Sequence, residues 1–363
     1  MRVLFLTPYY KPYLGGIERV IDRLGRALVT TGAAERVGVM TTHYAFPRRF
    51  VPDLADYERR DGQDIYRLRS MPHAAPPAFS VPLVWFSPGA MRGVIEQFRP
   101  DVLHFVGDGW FWAHLWCAEM ARRRDIAVVF TPSFHTLRPQ RAWLRPLNAV
   151  VTHVAQITTV LTAQERAQVR TAYLAPDERL RVLPWGVDLP ADETRHGRGG
   201  DAEAPVEVLC VGRLGRHKGQ MWLVETFALA LARTRRRARL VLVGRDEGDR
   251  GGEAAIRERV AALGLADAVE ITGEVDDETL AEAYRRADLF ALFSQYEAFG
   301  LAPLEAMGYA VPVLSHRVGG NQDVLRAGAA LVGRYDQEAA VREMVRLIED
   351  DAARERLGNE GRA

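Results

Sequence analysis

The chain has 363 residues, of which 48% are hydrophobic and 26% charged, and its formal net charge is +1. This length suits two domains, and the composition is that of a folded globular protein rather than a disordered one. The near-neutral charge excludes a nucleic-acid-binding protein that works through bulk positive charge. The two cysteines, Cys117 and Cys210, lie in apolar runs, and we interpret them as buried thiols of a reducing compartment.

The N-terminal half alternates short apolar runs with segments of helical periodicity. The run Val3–Leu6 precedes a Gly-Gly turn, and apolar residues then repeat at helical spacing from Ile17 to Leu28. Continuous apolar strands separated by helices predict a parallel sheet with helices on both faces. Further strands are predicted at Val37–Met40, Ile65–Leu68, Val102–Phe105, Ala127–Phe130, Ile157–Leu161 and Arg181–Leu183.

A polar segment separates the two halves. Residues 190–205 contain three glycines and no apolar period, which is typical of a linker. We therefore predict an N-terminal domain at residues 1–189 and a C-terminal domain at residues 206–363. Strands of the second domain are predicted at Val206–Val211, Leu240–Val243, Val269–Thr272, Leu289–Phe293 and Val311–Leu314. Its helices are predicted at Met221–Leu231, Glu253–Leu263, Thr279–Tyr284, Leu301–Met307 and Glu338–Ile348.

The most specific motif is EAFGLAPLE, which runs from Glu297 to Glu305 directly after a predicted strand. Ligands of open parallel sheets bind beyond the carboxyl ends of strands, so this loop is placed for binding. Gly300 allows a sharp turn, and the first amides of the next helix form an anion site suited to a diphosphate. Both carboxylates are good acceptors for sugar hydroxyls. Without other motifs, a surface carboxylate before an ordinary helix start would explain the pattern equally well.

A second motif, VGRLGRHKG, follows the predicted strand at Val206–Val211. Its glycines, Gly212 among them, shape a turn, while Arg213 and Lys218 put two cations at the sheet edge that also carries Glu297. A departing diphosphate needs such charge. A solvated basic turn is the alternative, and the shared sheet edge favours a functional site.

A Gly-Gly pair, Gly15-Gly16, follows the first strand and opens a predicted helix. Adjacent glycines allow a substrate to approach the backbone closely at a helix start. Packing alone also explains such a pair, and the third glycine of the dinucleotide fingerprint is absent.

The segment PSFHT places His135 just after the strand that ends at Phe130, at the same kind of sheet edge. A histidine there suits an active site, although a lone histidine is more often a surface or core residue. The other histidines show no ligand spacing, and no Asp-x-Asp occurs in the chain. We therefore predict no metal ion and no other cofactor.

These motifs, in this order, resemble those of the retaining glycosyltransferases of family 4, which have the GT-B fold. The similar stretches are PYYKPYLGGIERV, PSFHT, LPWGVD, VGRLGRHKG and FSQYEAFGLAPLEAMGYAVPVLS. The resemblance implies two Rossmann-like, doubly wound parallel-sheet domains that face each other across a cleft. It also implies a nucleotide-diphosphate sugar held mainly by the C-terminal domain and an acceptor held mainly by the N-terminal one.

The resemblance also implies roles for residues of the C-terminal domain. Arg213 and Lys218 look like the cations that hold the diphosphate, and Glu297 looks like the carboxylate on the hydroxyls of the donor sugar. Glu305 resembles the carboxylate that binds the ribose, and Val275, after Glu274, lies in the turn similar to the loop that meets the base. The amides similar to those that contact the donor are those of Phe299, Gly300 and Leu301.

In the N-terminal domain, Gly16 resembles the loop glycine that approaches the diphosphate, and His135 resembles the histidine beside the donor sugar. The sequence departs from the common family pattern at Trp185, Phe293 and Ala298. Family members commonly continue into a helix that crosses back onto the N-terminal domain, and the sequence shows no such segment.

We therefore predict a metal-independent, retaining glycosyltransferase of carbohydrate biosynthesis. It would move a hexose-type sugar to a hydroxyl of a lipid, a glycan or a small molecule. Three alternatives remain open: a nucleotide-sugar epimerase on the same fold, a non-catalytic sugar-nucleotide-binding protein and an NAD-dependent oxidoreductase. The last is the weakest, because Gly107-Asp108-Gly109 lacks the rest of the dinucleotide fingerprint.

No run of about 18 apolar residues occurs, so we expect a cytoplasmic protein. One segment, residues 137–150, mixes Arg138, Arg141 and Arg145 with Trp143. Basic and aromatic residues together suit peripheral contact with an anionic lipid surface, and a solvated helix or loop explains them equally well.

Overall fold

The computed structural model describes residues 1–12, 15–45, 49–69, 87–108, 111–134, 145–190, 204–246, 248 and 251–363. The chain divides into two compact units, Met1–Gly186 and Val187–Ala363. The predicted end of the first domain, residue 189, lies close to this division. Most of the predicted linker, residues 190–205, lies outside the described residues, so the linker stays a prediction.

The N-terminal unit is a mostly parallel sheet with helices between its strands. Its strands are β1 (Arg2–Leu6), β2 (Arg36–Thr42), β3 (Tyr44–Ala45), β4 (Arg49–Phe50), β5 (Tyr57–Arg60), β6 (Gln63–Leu68), β7 (Val102–Val106), β8 (Ala127–Thr131), β9 (Ile157–Val160) and β10 (Leu180–Val182). Its helices are α1 (Gly16–Thr30), α2 (Pro88–Phe98), α3 (Phe111–Arg124), α4 (Arg145–Val154) and α5 (Ala163–Ala172).

The strand order of this sheet is β10-β9-β8-β7-β1-β2-β6-β5. Each strand predicted from the sequence is present and pairs in parallel, as expected for strands joined by helices. The sequence did not predict the antiparallel edge strand β5, whose residues YERR are mostly exposed and carry no apolar period. It also missed the short antiparallel pair of β3 and β4.

The C-terminal unit is a parallel six-stranded sheet. Its strands are β11 (Val206–Val211), β12 (Ala238–Val243), β13 (Val269–Gly273), β14 (Leu289–Leu292), β15 (Val313–His316) and β16 (Ala329–Val332). Its helices are α6 (Gln220–Leu231), α7 (Glu253–Ala262), α8 (Asp277–Arg286), α9 (Leu301–Gly308), α10 (Asn321–Val324), α11 (Gln337–Glu349) and α12 (Asp351–Arg362). The sequence predicted neither β16 nor α10 and α12, and it placed β15 two residues too early.

The order of the second sheet, β13-β12-β11-β14-β15-β16, is that of a doubly wound fold. The chain runs outward from β11 through β12 to β13 and then returns to β14 on the other side of β11. The loops after β11 and β14 therefore leave the sheet in opposite directions, which opens a crevice at their carboxyl ends. The two most specific sequence motifs are these two loops.

Helix α6 shows how the sheet is covered. Its residues Leu223, Val224 and Phe227 are buried in the core of the C-terminal unit. The helix is apolar on most faces, because it lies between other elements, and it contacts both α7 and α11. Among the described residues, no helix is both long enough and apolar enough to cross a membrane.

Two leucines of α6 provide a matched test of this packing. Leu223 is 0% exposed and Leu229 is 41% exposed. We expect Leu223→Ala to lower the free energy of unfolding by about 2–5 kcal/mol, through lost apolar burial and a cavity. Leu229→Ala should cost less than about 1 kcal/mol. Urea denaturation followed by circular dichroism measures both, and equal losses would contradict the assigned orientation of the helix.

Candidate active site

The loop after β11 carries both predicted cations and is held rigidly in place. It begins at Gly212 and ends at Gly219, whose φ of +75° favours glycine. The buried side chain of Gln220 donates a hydrogen bond to the carbonyl oxygen of Arg213 at 3.0 Å. The first residue of α6 thus fixes the loop that contains Arg213 and Lys218.

The loop after β14 packs directly against the first loop. The amide of Gln295 donates to the carbonyl oxygen of His217 at 2.8 Å. A Cβ at Gly219 would lie only 2.1 Å from the carbonyl oxygen of Phe293, so only glycine fits at this contact. The two motifs that are far apart in the chain therefore form one continuous site.

An ion pair joins the two loops. Lys218 Nζ lies 2.6 Å from Glu297 Oε1, and the hydroxyl of Ser294 donates to the same oxygen at 2.6 Å. Glu297 is only 7% exposed. Both of these contacts use Oε1, so Oε2 is the oxygen that a substrate hydroxyl could approach.

The ion pair decides the charge of Glu297. Burial raises the pKa of this carboxyl, but the charge and hydrogen bond of Lys218, the Ser294 hydroxyl and the charge of His217 together outweigh burial. The net effect lowers the pKa of Glu297 below its usual value, and the group is ionised at neutral pH. A buried carboxylate held in this state is a strong hydrogen-bond acceptor.

A third loop, after β15, completes the site, and the sequence analysis missed it. The amide of Gly320 donates to the carbonyl oxygen of Glu297 at 2.8 Å. A Cβ at Gly319, whose φ is +52°, would lie 2.0 Å from that same oxygen. The signal was present in the sequence, because the glycine pair Gly319-Gly320 lies in the loop after a predicted strand.

The start of α9 lies beside these loops. Gly300 precedes the helix with a φ of +88°, and a Cβ there would lie 2.3 Å from the buried side-chain oxygen of Asn321. Leu301 and Ala302 open the helix, so their amides have no helical carbonyl partner. These amides and the helix dipole suit an anion. Phe299, the other residue predicted to offer an amide, has a buried side chain.

Glu305 is held by a different partner from Glu297. The hydroxyl of Tyr284 donates to Glu305 Oε2 at 3.0 Å, and the carboxylate is half-buried. Tyr284 belongs to α8, and no local pattern in the sequence connects it with Glu305. The structure therefore gives each predicted sugar-binding carboxylate a hydroxyl donor, Ser294 for one and Tyr284 for the other.

The remaining predicted site residues, Val275, Gly16 and His135, do not belong to the three loops after β11, β14 and β15. Val275 follows β13 at the same edge of the sheet, packs partly buried against the core, and adjoins Glu274, which lies 3.8 Å from Arg245. Gly16 is the first residue of α1 in the N-terminal unit, where the carboxylate of Glu18 accepts from the preceding amide at 2.9 Å. His135 lies outside the described residues, so its role stays a prediction.

The described residues contain no group of three or more His, Cys, Asp or Glu side chains that could hold a metal ion. The positive charges that the loop after β11 can present to an anion are those of the Arg213 and Lys218 side chains. Arg213 is half-buried in the same loop as Lys218.

Comparison with known proteins matches both halves of the chain to glycosyltransferase families. Residues 14–190 match the family described as Glycosyltransferase Family 4, and residues 192–363 match Glycosyl transferases group 1. The chain is 28% identical over 321 residues to GDP-mannose:cellobiosyl-diphosphopolyprenol alpha-mannosyltransferase of Xanthomonas campestris, covering 87% of this chain and 78% of the relative. It is also 28% identical over 387 residues to D-inositol 3-phosphate glycosyltransferase of Xylanimonas cellulosilytica, covering 96% and 87%.

Solved structures share the fold over almost the whole chain. Sucrose-phosphate synthase from Thermosynechococcus elongatus aligns with a TM-score of 0.76 at 23% identity, covering 99% of this chain and 93% of that one. HepE from Anabaena, solved in complex with UDP and glucose, aligns with a TM-score of 0.71 at 18% identity, covering 100% and 94%.

The ion pair makes stability depend on pH in a way that can be tested. In the wild type, the lowered pKa of Glu297 contributes stability above its unfolded-state pKa, and this is lost as the pH falls through the folded-state pKa. Lys218→Met removes the cation but not the burial, so the pKa of Glu297 should rise above its usual value. The loss of unfolding free energy caused by Lys218→Met should therefore grow as the pH rises from about 4 to about 7.

Urea denaturation across this pH range measures the effect, and Glu297→Gln provides the control because it removes the titrating group. In the Glu297→Gln background, Lys218→Met should lower the free energy of unfolding by the same amount at each pH. If Lys218→Met lowers the free energy of unfolding of the wild type by the same amount at each pH, the pKa of Glu297 does not depend on Lys218.

Proposed function

Because the chain belongs to the family 4 glycosyltransferases and has the GT-B fold, we propose that it transfers a hexose-type sugar from a nucleotide-diphosphate sugar to an acceptor hydroxyl. The anomeric configuration is retained and no metal ion takes part. The observation that carries this proposal is the buried Lys218–Glu297 pair, which puts a cation and an ionised carboxylate beside the start of α9.

The donor is assigned from the chemistry of the three loops. Arg213, Lys218 and the first amides of α9 suit a diphosphate, because cations and unpaired helix amides favour negative charge. Glu297 Oε2 accepts from hydroxyls of the sugar, and Glu305 accepts from those of the ribose. HepE, a solved protein of this fold, was crystallised in complex with UDP and also with UDP and glucose, which supports a nucleotide-sugar donor.

Catalysis in this proposal is mainly stabilisation of the leaving group. The bond between the anomeric carbon and the β-phosphate oxygen breaks, and its electron pair stays on the diphosphate beside Arg213 and Lys218. The acceptor oxygen bonds to the same face of the carbon and passes its proton to the departing phosphate oxygen. No carboxylate is assigned as a nucleophile, so double displacement forms no part of the proposal.

Lys218 has two roles in this mechanism. Its charge keeps Glu297 ionised, and the same charge lies at the sheet edge where the diphosphate leaves. As negative charge develops on the phosphate, the ammonium group stabilises it at no cost of reorganisation, because the ion pair has already fixed its position. The same pre-organisation supports the proposal that no metal ion takes part.

The acceptor remains the open part of the proposal. The relatives named above are named for different acceptors, one a diphosphopolyprenol-linked sugar and the other inositol 3-phosphate. We propose that the N-terminal unit binds the acceptor, and the roles that the family resemblance implies for Gly16 and His135 stay predictions. A cytoplasmic location and peripheral contact with lipid belong to the same proposal, and most of the basic segment at residues 137–150 lies outside the described residues.

The alternatives have less support. Named relatives in both comparisons are transferases or synthases, which does not favour an epimerase. The oxidoreductase alternative was suggested by the alternation of strands and helices alone, and Gly107-Asp108-Gly109 is only an incomplete dinucleotide fingerprint whose Asp108 forms hydrogen bonds within the fold. Its side chain accepts from the Tyr173 hydroxyl at 3.1 Å, and its carbonyl oxygen accepts from Asn148 at 3.1 Å.

A donor panel tests the proposed reaction. A uridine, guanosine or adenosine diphosphate sugar that binds should add about 2.7 kcal/mol of stability at about 100 times its dissociation constant, seen as a thermal shift. With that donor, free nucleoside diphosphate should form in proportion to added acceptor, and proton NMR should show the donor's anomeric configuration in the product. Inverted product would refute retention, and an epimerised donor without released nucleotide would favour the epimerase.

Substitutions at the ion pair test the site assignment. We expect Lys218→Ala and Glu297→Ala to lower turnover by about a hundredfold or more, because one pre-organised contact is worth about 3 kcal/mol in the transition state. Arg216→Ala is the control, since this exposed arginine lies in the same turn. Turnover, measured on correctly folded variants, should fall in Lys218→Ala and Glu297→Ala and stay near the wild-type rate in Arg216→Ala. Near-normal turnover in both site variants would contradict the assignment of Lys218 and Glu297 to the active site.

A further inference from the structure

Tyr284 is a buried tyrosine whose hydroxyl reaches a predicted substrate-binding carboxylate. It is 2% exposed, and its hydroxyl lies 3.0 Å from Glu305 Oε2 and 3.3 Å from the carbonyl oxygen of Ala302. A tyrosine hydroxyl has one proton to donate. The carboxylate is the nearer and the charged acceptor, so the proton is shared with Glu305 rather than with the carbonyl.

The position of this hydroxyl is set by the core of the C-terminal unit. The ring of Tyr284 stacks on Tyr309, with centroids 5.4 Å apart and an angle of 14° between the planes. On another side it lies near Phe290, with centroids 6.3 Å apart. The ring cannot move without disturbing this stack, whereas the carboxyl group of a half-buried glutamate rotates easily about its last bond.

We propose that Tyr284 is a positioning residue that sets the orientation of Glu305 and thereby the selectivity of the enzyme for a ribose over a deoxygenated sugar in the nucleotide. This rests on the proposed function, which assigns Glu305 to the ribose hydroxyls. With Oε2 held by the hydroxyl of Tyr284, the orientation of the Glu305 carboxylate toward a pair of neighbouring hydroxyls is set before the ligand arrives. Fixing the carboxylate beforehand removes the ordering cost from binding.

The test is the ratio of two dissociation constants, measured by calorimetry for a nucleoside diphosphate and for its 2′,3′-dideoxy counterpart. Uridine, guanosine and adenosine diphosphates are the probes. The ratio isolates the contribution of the ribose hydroxyls, because general damage to the site weakens both ligands equally. We expect a wild-type preference of about 100-fold for the ribose form, since two charge-assisted hydrogen bonds are lost without the hydroxyls.

Tyr284→Phe keeps the ring stack and removes only the hydroxyl, so the preference should fall about five- to tenfold. Phe290→Leu is the matched control, because it alters packing beside the Tyr284 ring and leaves the hydroxyl in place. It should lower stability and leave the preference unchanged. A preference that falls equally in Phe290→Leu would show that ring packing matters rather than the hydroxyl, and would overturn the proposal.

Glu305→Gln separates this inference from the proposed function. If Glu305→Gln reduces the preference and Tyr284→Phe does not, the role of Tyr284 is refuted and the ribose assignment stands. If neither substitution changes the preference, Glu305 does not bind the ribose and both statements fail. If the wild-type protein binds none of the three diphosphates, the proposed donor site is itself refuted.

Discussion

A buried carboxylate that must stay ionised is the constraint around which the C-terminal site is built. Removing Glu297 from water would by itself favour its neutral form, and the neutral form is a weaker acceptor for substrate hydroxyls. The ammonium group of Lys218 at 2.6 Å reverses this preference. The fold must therefore bring the loop after β11 to the loop after β14, and the adjacency of these two strands in the sheet does so.

Close backbone contacts hold the loops at the required distance. Glycines stand where a side chain would collide with a carbonyl oxygen, at Gly219 against Phe293 and at Gly319 against Glu297. These contacts make the site rigid, because loops packed this closely cannot shift by a fraction of an ångström without collision. Rigidity matters for an enzyme whose proposed mechanism is electrostatic, since fixed charges stabilise a transition state best when they need not reorganise.

The N-terminal unit contains a buried carboxylate with the opposite behaviour. Burial and, to a smaller extent, the nearby charge of Asp108 raise the pKa of Glu165 to about 7, even though the amides of Leu161 and Phe134 donate to it and lower its pKa. Within the part of the chain that the structure describes, no cation equivalent to Lys218 contacts Glu165. Glu165 joins the ends of β8 and β9 through backbone amides, while Glu297 offers an ionised oxygen. Two buried carboxylates thus have pKa values shifted in opposite directions. The charge and hydrogen bond of Lys218, with smaller contributions from Ser294 and His217, outweigh burial at Glu297, whereas burial dominates at Glu165.

The sequence by itself determined most of the parallel strands of the two sheets, the loops that follow them and the residue types that suit a diphosphate and a sugar. These features depend on local apolar periodicity, on glycine and on the position of a loop after a strand, and each can be read within a short window. Local patterns could not show the exposed edge strand β5, because YERR carries no apolar period.

Only the tertiary structure decided which groups meet. Lys218 and Glu297 are 79 residues apart, and the sequence assigned them to different parts of the substrate before the fold joined them in one ion pair. Tyr284 and Asn321 reach the site from helices with no motif of their own. The physical reason is that side-chain contacts between distant segments follow from strand order and packing, which are properties of the whole chain and not of any window within it.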